Sequence, residues 1–382
     1  MPGTGGETGI IPAPPGNALK EALRAATFFL AGHDIARIQP FGAGNINDTF
    51  LVTLHSGGQR ILQRLNPAVF PEPVLVMDNV RLVTEHLRQE RNRNGIAPAQ
   101  FRIISLFPGR TGDFYRAADG SAWRLMTFIA DSRTCQVIRR EKQAGELGRT
   151  LGIFHRLASR LDPGRLAETL PGFHLTPRYL QHYDRIAASQ DGKDGAEIAF
   201  CRAAIDQRRA MVTVLEEARG QLRHQVIHGD PKVTNFLFDR DGDRVISLID
   251  LDTVMPGLLL HDIGDALRSC CNPGGETGRS GQTAFAPELF RSWLRGYFPA
   301  AGFLLTDEDR TRIIAAVLLM TFELGLRFFT DHLDGNRYFK IRFPGQNLQR
   351  ALVQFDLAKS IEQQAGTLES IVNDTAAAGP GR

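Results

Sequence analysis

Residues 226–239 read VIHGDPKVTNFLFD, with an apolar run closing at Ile227 and another opening at Phe236. Short apolar runs of this length, bounded by turn residues, have strand character, and the polar bend between them ordinarily only turns the chain. This bend instead spaces a carboxylate, an ammonium and an amide at fixed offsets: Asp230, Lys232 and Asn235. Directly after it, FLFDRDGDRVISLID gives two short apolar runs joined by a polar turn containing glycine. That is a hairpin, and its second strand ends at Asp250. One amide and one carboxylate are enough protein oxygen for magnesium, which retains waters and takes its remaining ligands from phosphates.

Outward from the hairpin, the pattern splits the chain in two. Toward the N-terminus, NALKEALRAATFFL at 17–30 has helical spacing, and residues 37–65 alternate in short bursts broken by GAGN and HSGGQ, an antiparallel meander. A helix over 74–93 and strands within 101–129 complete a small sheet-rich part. Beyond about 130 the spacing is helical over 136–161, 196–219, 285–298 and 307–333. The expected organisation is therefore α+β and two-lobed: a tail at 1–17, an N-terminal lobe at 18–129, a C-terminal lobe at 130–372, and a frayed tail at 373–382.

Composition narrows the functional classes. A chain of 382 residues exceeds one ordinary core, and 42% hydrophobic with 23% charged residues is usual for a globular protein. A net charge of +3, with no basic run interleaved with aromatics, gives no reason to expect nucleic acid. The apolar segment at 313–322 is bounded by Arg312 and Glu323, too short a run to span a bilayer. The glycine- and proline-rich N-terminus has neither signal-peptide nor anchor character. Cysteines at 135, 201, 270 and 271 lack zinc or CxxC spacing and read as reduced thiols in a cytoplasm.

In a kinase-type site an aspartate orients the acceptor hydroxyl and takes its proton, an asparagine on the same loop binds magnesium, and a second aspartate completes the metal shell. Asp230, Asn235 and Asp250 fill those places. The rival reading makes Asp230 a cap and Asn235 a turn residue, which Asp250 at the strand end opposes. DRDGD also resembles a calcium loop, with Asp239, Asp241 and Asp243 in alternation, but Arg244 stands where glycine is required and the flanks are strands.

These residues resemble the aminoglycoside phosphotransferase and choline kinase superfamily, relatives of the protein kinases with HGD in place of HRD. LIDLDTVMPGLLLHDIGDALR, ELGLRFFTDHLDGNRYFK and ILQRLN resemble, more narrowly, the N-acetylhexosamine 1-kinases, over nearly all of residues 36–355. The resemblance implies a protein-kinase-like fold, ATP and Mg2+ as cofactors, a small-molecule sugar acceptor, Lys232 facing the transferring phosphate, and His228 and Asp262 supporting the catalytic loop. Asp265 is the other candidate for that support. Asp252 either touches metal or sugar or merely ends the strand.

In the first lobe FGAGNINDTFLV places Gly42, Gly44 and Asn45 where main-chain amides approach phosphates, with Asn47 where protein kinases carry a third glycine. No lysine stands in ILQRLN; Arg64 or Gln63 holds the matching strand position, and Arg64, as the narrower resemblance also implies, is the candidate for the α/β-phosphate contact, with Asp78 or Glu85 as its carboxylate partner. RLMTFIAD at 124–131 is the expected hinge, its main chain at Thr127, Phe128 and Ile129 receiving adenine. The resemblance places Arg327 and Tyr338 against the acceptor. A salt bridge from Arg327 to Glu323 or Asp331 is the rival. Across 307–342 acidic and basic residues balance, which favours an uncharged sugar over a polycationic aminoglycoside. Another small-alcohol kinase, or an inactive nucleotide-binding regulator, is the alternative.

Overall fold

A computed structural model of the chain describes residues 16–30, 34–42, 44, 46–110, 112, 114–189 and 195–377. The chain forms two compact units, Met1–Pro73 with Ile104–Phe128, and Val74–Ile103 with Ile129–Arg382. The N-terminal tail expected at 1–17 falls outside the described residues up to position 15.

The first unit opens with helix α1 (Gly16–Leu30), then strands β1 (Ile35–Pro40), β2 (Asp48–Leu54) and β3 (Gln59–Leu65). Helix α2 (Pro73–Arg93) intervenes before β4 (Leu106–Phe107), β5 (Tyr115–Arg116) and β6 (Ala122–Thr127). The strands make one antiparallel sheet in the order β1-β2-β3-β6-β4, with β5 also on β6. Phe50, Val52 and Leu54 on β2 point to one face, as the two-residue period of a strand requires. They join Leu62, Trp123 and Leu125 beneath Ala22, Ala25 and Ala26 of α1. Small residues on that helical face let α1 lie close to the sheet.

Helix α2 corrects the sequence reading, which put it in the first lobe. It groups with the second unit because its polar side chains are used there: Asn79 Nδ2 donates to the carbonyls of Ala167 (2.7 Å) and Val254 (2.9 Å), and His86 Nε2 meets Leu157 O at 3.1 Å.

The second unit continues with β7 (Ser132–Thr134), α3 (Glu141–Ala158), α4 (Thr176–Ala187), α5 (Ala196–Asp206), β8 (His224–Ile227), β9 (Phe236–Asp239), β10 (Val245–Leu248) and β11 (Met255–Leu258). Helices α6 (Leu259–Cys270), α7 (Pro287–Ala301), α8 (Asp307–Thr311), α9 (Ile313–Leu333), α10 (Gln346–Gln363) and α11 (Ala365–Ala377) complete it. The β9–β10 hairpin forms as expected and pairs with β7, while β8 pairs antiparallel with β11. Helices α3 and α7 cross closely: a Cβ on Gly148 would lie 2.0 Å from Trp293 O. Helix α9 is long and apolar enough to cross a membrane by length and composition, but most of it is buried in the core of this unit.

Three helical expectations are corrected. The helix read over 196–219 ends at Asp206. There Arg208 leaves helical geometry (φ −114°, ψ 7°), donates to Ala204 O and pairs with Glu362 of α10. The helix over 307–333 breaks at Arg312 into α8 and α9. The tail read as frayed from 373 stays helical to Ala377, because Val372 and Thr375 are buried. All four cysteines are free thiols.

Candidate active site

The bend at 228–235 runs from β8 to β9, and its main chain is fixed from several sides. Gly229 adopts φ +84°, and a Cβ there would lie 2.5 Å from Thr253 O, so the position needs both glycine's freedom and its lack of a side chain. The fully buried Asp262, at the start of α6, accepts from His228 N (2.7 Å) and Gly229 N (2.8 Å). Of the two aspartates offered for this support, it is Asp262 that takes these bonds. Asp265 pairs with the buried Arg268 at 2.8 Å.

His155 of α3 donates from Nε2 to Asp262 (2.9 Å) while its Nδ1 meets the Tyr297 hydroxyl of α7 at 2.9 Å. Burial pushes the Asp262 carboxyl up, but the imidazole and main-chain donors outweigh it and hold the group ionised below its usual range. His228 sits in the bend as a neutral ring: burial lowers its pKa, Nε2 bonds Ile249 O at 3.0 Å and Nδ1 accepts from Asp230 N at 3.3 Å.

The structure brings Asp230, Lys232 and Asn235 together. Lys232 Nζ is bonded to Asp230 Oδ2, and Asn235 Nδ2 donates to Asp230 O at 2.8 Å and approaches its carboxylate at 3.4 Å. Asp250 follows β10 in the left-handed region (φ 67°), and Ile249 N donates to Asn235 O at 2.9 Å, joining hairpin end to bend. Burial opposes the charge on Lys232, but the Asp230 and Asp250 carboxylates together hold its pKa above the usual lysine range. Asn235 and Asp250 are hard oxygen donors. No cluster of three or more His, Cys, Asp or Glu that could hold a metal occurs among the described residues. Asp252 is buried in the turn after Asp250, with its carbonyl accepting from Thr169 Oγ1 at 3.0 Å.

Arg327, on α9, is enclosed by four rings, Phe173, Tyr179, Tyr338 and Phe339, at 5.0–5.5 Å from its guanidinium. Its Nη2 reaches the Tyr338 hydroxyl at 3.4 Å. Burial opposes its charge, but Tyr179, Tyr338, Glu323 and, least of these, Asp230 outweigh it and hold its pKa above the usual arginine range. The rival pairing is not what forms. Glu323 is engaged by His174 Nδ1 (3.0 Å) and Thr176 Oγ1 (2.7 Å). Asp331 accepts from the main chain of Tyr338 and Phe339 and from Asn347. His174 also bonds Gly229 O through Nε2 at 2.7 Å.

His155 and His174 escaped the sequence reading, which named Glu323 only as a rival partner for Arg327. Glu323 carried a signal of its own, a lone carboxylate inside an apolar helix, which needs a buried partner.

In the first unit Gly42 takes φ +77° and a Cβ on Gly44 would stand 3.5 Å from Asn47 O, while Asn45 lies outside the described residues. Arg64 is held within its unit by Asp119 (2.6 Å) and Asp48 (3.5 Å). Asp78, one of the two helix carboxylates expected opposite it, pairs with Arg81 one turn on, and Glu85 acts electrostatically on Arg88. Thr127 exchanges main-chain and side-chain bonds with Ser105, and Phe128 meets the Phe41 ring at 5.9 Å. The boundary between the units falls after Phe128, and in the second unit Ile129 O accepts from Ser132 Oγ at 2.6 Å.

Solved structures share this α+β fold. An aminoglycoside phosphotransferase from Alicyclobacillus acidocaldarius matches with a TM-score of 0.61 at 16% identity, over 97% of this chain and 99% of that one. A microcompartment-associated aminopropanol kinase matches with a TM-score of 0.60 at 17% identity, over 92% and 98% of the two chains. The amicoumacin kinase hAmiN, in complex with AMP-PNP, Ca2+ and Ami, matches with a TM-score of 0.55 at 16% identity, over 92% and 96%. Identities this low establish the fold, a sheet-rich N-terminal region and helical C-terminal part of the kinase-like kind. Residues 37–303, most of the chain, match the phosphotransferase enzyme family, and the chain belongs to that family.

Proposed function

We propose that this phosphotransferase moves the γ-phosphoryl group of ATP onto the anomeric hydroxyl of an N-acetylhexosamine, N-acetylglucosamine or N-acetylgalactosamine, giving the sugar 1-phosphate. The observation that carries the reading is the convergence of Asp230, Lys232 and Asn235 on one bend. Asp230 orients the acceptor hydroxyl and takes its proton as the oxygen attacks phosphorus. Lys232 meets charge on the transferring group. Asn235 and Asp250 hold Mg2+, which neutralises phosphate charge when bound. Arg64 forks to phosphate oxygens, the Gly42–Gly44 turn offers main-chain amides, and the Thr127–Ile129 main chain takes adenine.

The ring-enclosed guanidinium supports this acceptor class. Aromatic faces attract cations, but here Arg327 already fills that enclosure. A second cation about 6 Å away is repelled by about 3 kcal/mol at an effective dielectric near 20. Choline, aminopropanol and kanamycin are disfavoured, and a neutral sugar is met by the Arg327 donors and the Tyr338 hydroxyl.

Incubation with Mg-ATP and a panel of N-acetylhexosamines, simple sugars, choline, aminopropanol and kanamycin, read by phosphorus NMR, tests the assignment. The expected product is a sugar 1-phosphate. Asp230→Ala should lower kcat by about 10^3-fold or more with ATP affinity kept, given what orientation and proton transfer contribute together. A cationic acceptor preferred over every sugar would overturn the acceptor class, and retained turnover in Asp230→Ala would overturn the base.

A further inference from the structure

We propose that His174 and Glu323 form a buried imidazolium–carboxylate pair that positions Asp230 by holding the carbonyl of Gly229, a positioning element of the transfer site. The inference rests on the reading of Asp230 as the acceptor base.

The charge assignment follows from the partners. His174 Nδ1 faces Glu323 Oε1 at 3.0 Å, and Nε2 faces the Gly229 carbonyl at 2.7 Å. A carbonyl only accepts and a carboxylate only accepts, whereas a neutral imidazole carries one N–H. Both contacts are satisfied together when the ring carries two protons. The alternative, a protonated Glu323 donating to a neutral ring, moves the proton from the stronger base to the weaker one. Arg327, one turn along α9, and the Thr176 hydroxyl on Oε2 further favour the anion. Burial opposes the charge on His174, and Glu323, the Gly229 carbonyl and Asp265 outweigh it.

The other charged or titratable groups around His174 are Asp265 and His261 on α6 and Tyr179 on α4, which bonds the His174 main chain. The His261 ring lies 5.1 Å from that of His174 and is held neutral, its pKa pushed down to about 3 by burial and by the His174 charge. His174 itself adopts φ 62°, a left-handed backbone costly for a residue with a Cβ and kept only where its surroundings demand it. Gly229 is thus clamped at both ends of its peptide frame, its N–H by Asp262 and its C=O by His174. Asp230 is the next residue. The adjacent Phe173 lies against Arg327, so one short segment serves both the enclosure and the bend.

The pair predicts a pH signature that a purely structural contact lacks. The clamp is intact while His174 is protonated and is lost as pH rises through its raised pKa, so kcat falls on the alkaline side. Lys232 is held above the ordinary lysine range and does not titrate there. Glu323→Gln removes the charge that sustains the imidazolium and should move the alkaline limb of kcat down by about one pH unit or more. His174→Gln, which keeps a donor for Gly229 but no charge, should lower kcat about tenfold, leave the ATP KM within twofold and abolish that limb. A limb unchanged in both variants would overturn the proposal. A measurement on the parent protein needs no variant fold and no substrate: nitrogen-15 spectra of labelled histidines should show His174 protonated at both nitrogens at pH 7.5. A neutral tautomer there would overturn the pair even if kinase activity is intact. Loss of the Asp230 role with a doubly protonated His174 would instead refute the base and leave the pair standing.

Discussion

Gly229 shows how little latitude the bend has at the level of single atoms. An alanine there meets Thr253 O at 2.5 Å and must hold φ +84°, so either the bend or the 251–253 turn has to shift. Gly229→Ala should destabilise the fold by about 1–3 kcal/mol and lower kcat far more than the stability loss accounts for, because the displaced residue precedes Asp230. Urea titration with steady-state kinetics on the still-folded variant checks both, and unchanged kcat would count against the geometry. The bend itself was legible because Asp230, Lys232 and Asn235 act within one local stretch. Its supports were not: His155 binds a carboxylate 107 positions away and His174 one 149 positions away. Neither histidine departs from its local pattern, so only folding reveals the pairing.

At the level of secondary structure, the α3–α7 crossing carries the support for the bend. His155 and Tyr297 face each other across it, and the contact depends on Gly148 admitting Trp293 O. Gly148→Ala should push the helices apart at a cost of about 1–3 kcal/mol, and by moving His155 off Asp262 should also lower kcat. Thermal melts and turnover of the same preparation test this, and a variant as stable and active as the parent would show the crossing to be slack. Helix existence was well marked by apolar spacing, as in α2, α3 and α7, whereas ends were set by tertiary partners. Helix α5 stops where Arg208 turns to Glu362, and α11 persists to Ala377 because Thr375 is covered. No local signal announces either.

Across the whole molecule, buried titratable groups set the response to pH. His228 and His261 are neutral and depressed in the fold, so the unfolded chain takes up protons that the folded one refuses below the ordinary imidazole pKa of about 6.5. Stability therefore falls as pH drops below that value. It falls again near pH 4, where the unfolded chain protonates the carboxyls that Asp262 and Glu323 keep ionised in the fold. His174 acts in the opposite sense, its contribution being whole at low pH and lost on the alkaline side. Melting temperatures measured from pH 4 to 9 should peak near neutrality, with His261→Leu softening the decline between about 6.5 and 4. A flat acid limb would contradict the buried neutral rings. The division into a sheet-rich and a helical part was readable from the change of apolar period, but the allegiance of α2 was not, because Asn79 and His86 chose partners far along the chain.

Glu323 and Arg327 share one face of α9, the first engaged with the ring that holds the bend and the second with the aromatic enclosure. A single rigid rod thus serves two tasks, so any slide or rotation that re-aims one is inherited by the other. If the enclosure receives the acceptor as proposed, substitutions along that rod should change selectivity and turnover together. The 335–345 loop bearing Tyr338 is tethered through Asp331 yet exposes its phenol, and is the place where diversification leaves the 228–235 bend undisturbed.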